Sequence, residues 1–499
     1  MEGWAGKYLE IDLSSGKIES HPLDMELARL FLGGRGLGAR LLWDLVGPEV
    51  EPLSPENVLI FCAGPLTASG AQTSNRFTVT TKSPLTGTVC DSNSGGWWGM
   101  QFKRTGYDAL IVRGRASHPV MIEIERTGNI SIKDATHLWG KTVSEVTRAL
   151  GQDNNKRNVL CIGPAGENLV RMAAIINDGT RALARGGPGA VMGSKNLKAI
   201  VVEGSQKYIA HDSELFKFML YETGKLIKNS PITAQAYPEF GTAVVMNVIN
   251  EIGALPTRNF QQAQFEGAEK ISGELLSDTI LVGKRACWAC PIACTRQTRT
   301  ERAEGEGPEY ETNWAFGAQC GIDDLPAIAE ANYLCNDLGL DTISVGNTIG
   351  CAMEMSERGL ISTDLRFGRA DLLLPTIADI AYRRGLGNEL AEGSYRFAEK
   401  YGAVQYSMSV KKLELPAYDP RGMQGQGLLY ATSNRGGCHM RGNMLGPEVL
   451  SIPRLIDRFA NQGKAGIVAV HQNEAAVVDS LVVCRFTNIA VSSEYFARL

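Results

Sequence analysis

Three cysteines stand within one short segment, Cys287-Trp-Ala-Cys290-Pro-Ile-Ala-Cys294. A turn of backbone can bring thiolates at this x2 and x3 spacing to one side, where they converge on a soft metal centre. Structural zinc sites usually add a second close pair of ligands, and no such pair follows here. The later cysteines, Cys320, Cys335, Cys351, Cys438 and Cys484, are scattered singly. The pattern favours an iron–sulfur cluster completed by one distant thiolate. The radical-SAM order of spacings is reversed, so that chemistry is not expected.

Glycine-rich segments form the second signal. Phe31-Leu-Gly33-Gly34-Arg35-Gly36-Leu37-Gly38 lacks a complete dinucleotide fingerprint and reads as a loop before a helix. Asn93-Ser94-Gly95-Gly96-Trp97-Trp98-Gly99 lets backbone approach a ligand closely, and Asn93 can offer its amide oxygen. Arg181-Ala182-Leu-Ala-Arg185-Gly-Gly-Pro-Gly189 adds guanidinium forks suited to phosphate oxygens. Each alone is an ordinary turn; together they suggest a phosphorylated cofactor. Arg76 alone reads as a surface residue. Glu311, in Gly307-Pro-Glu-Tyr-Glu311, and His439, in Gly437-Cys-His439-Met-Arg441, are the residue types that move protons. By themselves they read as a solvated carboxylate and a hydrogen-bonded core imidazole.

The elements that must position these groups change along the chain. Up to about residue 205 the texture is mainly β. Lys7–Leu13 alternates with period two and turns at Ser14-Ser15-Gly16. Strand-like segments recur at Asn57–Cys62, Arg76–Thr81, Ala109–Arg113, Val120–Glu125 and Ala199–Val202, with helices at Met25–Phe31, Leu37–Leu45 and Val143–Leu150. From about Asp212 helical spacing dominates: Leu215–Ile227, Thr242–Asn250, Ala327–Leu338, Val345–Arg358, Leu374–Tyr382 and Ala475–Cys484. The polar stretch Thr295–Gly307 reads as an exposed loop. The 499 residues carry 50 Lys plus Arg against 54 Asp plus Glu, a net charge of −4, which is no footprint for nucleic acid. No apolar run is long enough to span a membrane. The opening residues do not form a secretory signal, so a cytoplasmic location is the expectation, and the 11 cysteines are expected to be reduced rather than a disulfide framework.

Several long motifs in one order make the chain similar to the aldehyde ferredoxin oxidoreductase family, tungsten- or molybdenum-pterin enzymes of anaerobes. They are the opening Gly-Lys-Tyr-Leu-Glu-Ile-Asp-Leu, Ala190-Val-Met-Gly-Ser-Lys-Asn-Leu-Lys-Ala-Ile200, the cysteine motif, Tyr418-Asp-Pro-Arg-Gly422 and Asn434-Arg-Gly-Gly-Cys-His-Met-Arg441. The resemblance implies an α+β chain. A β-rich base domain for a bis-pterin (1–208) would precede a helical domain with the cysteine motif (209–410) and a helical third domain (411–499). It implies Cys287, Cys290, Cys294 and Cys484 as ligands of a [4Fe–4S] cluster, with Arg76 between cluster and pterin. Asn93 and the backbone of Ala182 match positions that hold a magnesium bridging the pterin phosphates, with Gly95, Gly96, Arg181 and Arg185 in the surrounding segments. Asn336-Asp-Leu-Gly-Leu-Asp341 and Asp479-Ser-Leu-Val-Val-Cys484 match the two pterin motifs, and Glu311 and His439 the acid–base pair beside the metal.

Three departures accompany the match. Asn336 stands where the family has Asp, and an amide oxygen can still accept that bond. Val482 stands where Gly is usual. The chain ends 15 residues (499 − 484) after Cys484, whereas the family continues, which fits a fragment, an incomplete sequence or a short member. The implied reaction converts an aldehyde and water to a carboxylate at a tungsten (or molybdenum) bis-molybdopterin. Electrons would leave through the cluster to ferredoxin or an iron–sulfur carrier subunit; a homodimer is also compatible. The alternatives are acid reduction or another two-electron reaction on the same scaffold, or an inactive truncated homologue that keeps its cofactors.

Overall fold

The computed structural model describes residues 3–153, 156–208, 210–492, 495 and 498. The expected first domain boundary abuts Ile209, which lies outside the described residues. The chain is α+β, as expected. Its first part holds two six-stranded mixed sheets. One contains β1 (Lys7–Asp12), β2 (Lys17–Pro22), β3 (Leu59–Cys62), β4 (Phe77–Lys82), β5 (Val89–Ser94) and β6 (Ala109–Arg113), in the order β2-β1-β6-β3-β4-β5. The other contains β7 (Val120–Ile124), β8 (Ile130–Asp134), β9 (Asn158–Cys161), β10 (Ile175–Asn177), β11 (Arg181–Leu183) and β12 (Leu197–Val202), in the order β11-β10-β9-β12-β7-β8.

The two sheets share one apolar core. Leu9, Ile11, Phe61, Phe77 and Val112 from the first meet Ile122, Leu160, Ile175 and Ile200 from the second, around the buried Trp98. Period-two alternation produces this: β1 buries Leu9 and Ile11 and turns Glu10 outward. Helix Gly34–Leu45 covers the outer face of the first sheet, and helix Val143–Ala149 that of the second. The glycine-rich segment at 33–38, expected as a loop before a helix, instead lies within it: the helix starts at Gly34, with Gly33 as its N-cap.

The second part is mainly helical. A single core joins Met246, Trp314, Ile349, Ile377, Tyr430 and Val468, and reaches back to Ala165 and Ala190 of the first part. Helices Leu325–Leu338, Thr342–Glu357 and Leu373–Ala381 lie where helical spacing places them. Three expectations need correction. Thr242–Asn250 is a 3₁₀ turn (Gly241–Val245) followed by a short helix (Met246–Glu251). Thr295–Gly307 is no exposed loop: Thr295–Arg299 and Glu304–Glu306 pair as a hairpin with Thr295, Arg296 and Thr298 buried. The helix expected over Ala475–Cys484 runs from Lys464 to Leu481 and ends there, because Val482 adopts left-handed backbone (φ +57°). The cysteine therefore sits in the loop after the helix. Val482 occupies space that two glycines leave open: a Cβ on Gly34 or Gly64 would lie 2.6 or 2.5 Å from its methyls.

Candidate functional site: four thiols, a buried arginine cluster and a Glu–His pair

The cysteine motif is shaped by two non-glycine residues in left-handed backbone, Ala289 (φ +54°) and Ala293 (φ +49°), each just before a cysteine. Such conformations cost about 1–3 kcal/mol each and persist where surrounding structure enforces them. The enforcement comes from the loop between β3 and β4. Thr73 N–H donates to Ala289 O at 3.3 Å, and Asn75 Nδ2 to Trp288 O at 3.2 Å. On the other side Cys484 N–H donates to Thr73 O at 3.0 Å, and the Thr73 and Thr487 hydroxyls bond at 2.6 Å. One loop thus ties Cys484 to the motif 190 residues (484 − 294) earlier in the sequence.

All four cysteines are free and partly buried, whereas the other seven are buried. Burial, then the nearby Cys484 and Cys287 sulfurs, push the Cys290 thiol up to about 12. Burial, Glu309 and the same two sulfurs raise Cys294. Among the described residues no three His, Cys, Asp or Glu side chains surround a position for a single ion. Four thiols that interact with one another suit a multinuclear centre.

Beside these thiols, β5 ends in the Gly95-Gly96 turn. A Cβ on Gly95 would lie 2.7 Å from Cys287 Sγ and 3.3 Å from Arg76 Nη1, so only glycine fits against the thiol. The turn is held from behind by Asp178 and Asn177. Asp178 accepts from Trp97 N and, at 3.2 Å, from Trp98 N, while Asn177 Nδ2 donates to Gly95 O at 2.9 Å. Arg76 binds both oxygens of Asn93, the side-chain amide through Nε and the carbonyl through Nη2 (3.1 Å), and it also contacts Cys484. A cation between Asn93 and Ala182 would compete with Arg76 for those oxygens. Ala182 lies on β11, opposite Ile176 of β10.

Farther in, five guanidiniums crowd three carboxylates. Arg185 donates to Gly437 O (2.7 Å) and Glu414 O (2.6 Å) and lies 3.3 Å from Asp341. Arg441 bridges Asp91 (2.5 Å) and Asp479 (3.3 Å), and Arg485 reaches Asp479 at 3.4 Å. Arg35 lies 3.7 Å from Asp479, and Arg435 donates to Asp91 O. Burial and the neighbouring Arg441 depress Arg35 to about 10, against the pull of Asp91 and Asp479. Burial alone would raise the Cys438 thiol, but Arg435, Arg441 and Arg185 outweigh it and lower it. The excess of positive charge is matched by unsatisfied donors: Arg35 Nη1 and the Nε atoms of Arg435, Arg441 and Arg485 are buried without a hydrogen-bond partner. Buried polar groups normally have partners. Orphaned donors in this number fit an anionic, hydrogen-bonding cofactor such as a phosphorylated pterin. Asp341 and Asp479 belong to this cluster; Asn336 sits in the last turn of helix Leu325–Leu338, half-buried.

The proton-transfer candidates converge. Glu311 lies in the first turn of helix Tyr310–Phe316, and His439 in a 3₁₀ turn after Cys438. His439 Nδ1 is 3.6 Å from Glu311 Oε1, and each side chain is 14% exposed. Glu311 Oε2 accepts Ala417 N–H at 3.0 Å, Tyr310 donates to Ala417 O at 2.8 Å, and the Tyr418 ring lies 5.9 Å from the imidazole. Glu311 Oε1 and His439 Nδ1 have no hydrogen-bond partner. Burial pushes Glu311 up to about 8 and, with the nearby arginines, pushes His439 down to about 3. At neutral pH the pair is a neutral carboxylic acid beside a neutral imidazole; Glu311 is buried rather than solvated, and His439 Nδ1 lacks the hydrogen bond expected of a core imidazole.

Sequence reasoning missed Asp91, Asp178, Asn177, Arg35, Arg435, Arg441 and Arg485. Arg435 and Arg441 flank the Gly-Gly-Cys-His motif and could have been found there; the others carry no local signal.

The N-terminal domain of aldehyde ferredoxin oxidoreductase matches residues 8–204, and domains 2 and 3 of the same family match 219–499. The tungsten-containing aldehyde ferredoxin oxidoreductase of Pyrococcus furiosus is 47% identical, over 100% of this chain and 84% of its own. That of Thermococcus kodakarensis is 46% identical, over 99% and 83%. The WOR-like subunit of an aliphatic sulfonate oxidoreductase from Pyrococcus furiosus is 32% identical, over 88% and 75%. Among solved structures, the active-site complex BamBC of benzoyl coenzyme A reductase with 1,5-dienoyl-CoA superposes with a TM-score of 0.82 at 27% identity, covering 97% of this chain and 82% of that one.

Proposed function

The chain belongs to the aldehyde ferredoxin oxidoreductase family, and from that premise we propose that it oxidises an aldehyde with water to the carboxylate and passes the two electrons singly to a ferredoxin or a related iron–sulfur carrier. The observation that carries this reading is the Glu311–His439 pair: two facing groups with free polar atoms, beside the buried arginine cluster that contains Arg185 and Arg435. A tungsten (or molybdenum) bis-pterin would supply two-electron chemistry there. Arg185, Arg435, Arg441, Asp341 and Asp479 would hold the pterins, and Asn336 would offer an amide oxygen at the first pterin motif. The Gly95-Gly96 turn would let a pterin approach the cluster, and Asn93 with the Ala182 backbone would take a magnesium between the phosphates. Cys287, Cys290, Cys294 and Cys484 would ligate a [4Fe–4S] cluster, with Arg76 spanning cluster thiol and pterin side.

In this reading Glu311, protonated at neutral pH, donates a hydrogen bond to the aldehyde oxygen or orients the attacking water. His439, neutral, accepts a hydrogen bond from the attacking water through its open ring nitrogen and so orients it. The three-part division at 208/209 and 410/411 belongs to the same proposal; the separate family matches to 8–204 and 219–499 support its first boundary. So does a cytoplasmic location; among the described residues no helix is long and apolar enough to cross a membrane. A homodimer remains part of the reading.

The test is anaerobic, aldehyde-dependent reduction of a viologen dye by purified protein of measured tungsten, molybdenum and iron content. Turnover graded by aldehyde size supports the proposal. The sulfonate oxidoreductase and benzoyl coenzyme A reductase relatives favour a second reading, another two-electron reaction on this scaffold. Turnover with a sulfonate or an acyl thioester, and none with any aldehyde, would establish it instead.

A further inference from the structure

The resemblance places Arg181 in a phosphate-binding segment; its side chain is paired within the protein. It leaves β11 toward the hairpin that follows the cysteine motif. Nη2 donates to the hydroxyl of Thr295, the residue directly after Cys294, and Nε lies 3.4 Å from Glu306 Oε2 on the hairpin's return strand. Thr180, one residue earlier, donates to the same carboxylate at 2.8 Å. Its stem runs beneath the glycine turn: a Cβ on Gly96 would lie 3.4 Å from Arg181 Cγ, while one on Gly95 would lie 2.7 Å from Cys287 Sγ. Arg181 is thus wedged between the turn that touches Cys287 and the strand that leaves Cys294. Burial opposes its charge, and the attraction of Cys287, Glu306 and Cys294 outweighs that opposition. Arg185, four residues on, instead donates to the backbone carbonyls of Gly437 and Glu414.

We propose that Arg181 is a positioning residue for electron transfer: a fixed cation beside Cys287 and Cys294, which raises the reduction potential of the cluster. The inference rests on the reading of the four thiols as cluster ligands. A cluster held by four thiolates gains one negative charge on reduction, and a cation held nearby stabilises the reduced form more than the oxidised one. No atom is transferred; the guanidinium keeps its proton throughout. Glu306 sets how much of that charge the cluster feels, because it binds Arg181 and is itself shared with Arg285 at 3.2 Å.

The experiment is EPR-monitored redox titration of the holoenzyme, with iron and pterin measured on the same samples. Arg181→Gln should keep full iron and pterin and make the cluster at least tenfold harder to reduce, a fall of about 59 mV for a one-electron couple. Arg181→Lys should retain most of the wild-type potential. Glu306→Gln should shift it upward, the opposite sign, which a merely structural disturbance of the hairpin would not produce. An unchanged midpoint in Arg181→Gln overturns the inference, as does lost pterin with an unchanged midpoint, which would return Arg181 to phosphate binding. Should Arg181→Gln fail to accumulate, the upward shift in Glu306→Gln decides, and its absence refutes the role. A wild-type protein with no four-iron EPR signal would instead defeat the cluster reading itself.

Discussion

Replacing Glu311 by Gln should remove a proton that the folded protein holds unusually tightly. Burial raises this carboxyl from 4.5 to about 8, and the single backbone bond from Ala417 lowers it too little to compensate. The sign follows from linkage: between those values the folded chain keeps the proton and the unfolded chain has lost it, so stability falls as pH rises through the window. With 1.36 kcal/mol per pKa unit, the 3.5-unit difference (8 − 4.5) amounts to about 5 kcal/mol, reached in full only above the folded value. Gln keeps the shape and an oxygen for Ala417 N–H, but has nothing to ionise. The assay is infrared titration of cofactor-free protein, following the carbonyl stretch of a buried protonated carboxyl and assigning it by its loss in Glu311→Gln. The band should persist at pH 7 and titrate near 8, and Glu311→Gln should be the more stable protein at pH 9 but not at pH 4. A wild-type band already absent at pH 6, or equal pH dependence of stability in both proteins, would refute the reasoning.

His439 behaves in the opposite sense: its folded value is lowered to about 3, so its contribution to stability is present above the ordinary 6.5 and is lost as pH falls toward 3. His439→Asn should flatten that acid limb and lower kcat by about 10²–10⁴-fold, the usual range for such groups, measured at full metal loading. Because the imidazole is already neutral, kcat should show no histidine inflection near pH 6.5, contrary to what the residue type alone suggests. Gly95→Ala should reduce the iron content of purified protein, since the added methyl meets Cys287 Sγ at 2.7 Å; full iron occupancy would contradict the packing described. Cys484→Ala should abolish or convert the reduced four-iron EPR signal, whereas an unaltered cluster would move the fourth ligand to Cys320, Cys335, Cys351 or Cys438.

What could be read from the sequence depended on whether the signal was local. β1 alternates cleanly because one face is buried, and the cysteine spacing is chemical information carried by eight adjacent residues. β5, Val-Cys-Asp-Ser-Asn-Ser, is mostly buried and polar, so no alternation marks it, although it carries Asn93. The hairpin at Thr295–Glu306 reads as a loop because its buried side chains are threonines and an arginine satisfied by backbone carbonyls. The arginine cluster was invisible for a different reason: Arg441 meets Asp91 across 350 positions, and Gly36 meets Ser480 across 444. The resemblance placed Cys484, but only the structure shows why the chain stops being helical before it. The turn at Val482 and the loop at Thr73 together aim the thiol at the motif.

The central claim is that one chain joins aldehyde oxidation at the Glu311–His439 pair to electron exit through the four thiols. Rapid mixing of oxidised, metal-replete protein with an aldehyde, under anaerobic conditions and without any dye, tests it most directly. The account predicts that the EPR signal of the reduced four-iron cluster appears within turnover time, with carboxylate as the product. In Glu311→Gln of equal metal and iron content, its appearance should slow by about 10²–10⁴-fold. A cluster that stays oxidised while aldehyde is consumed, or one reduced equally fast in both proteins, would contradict it.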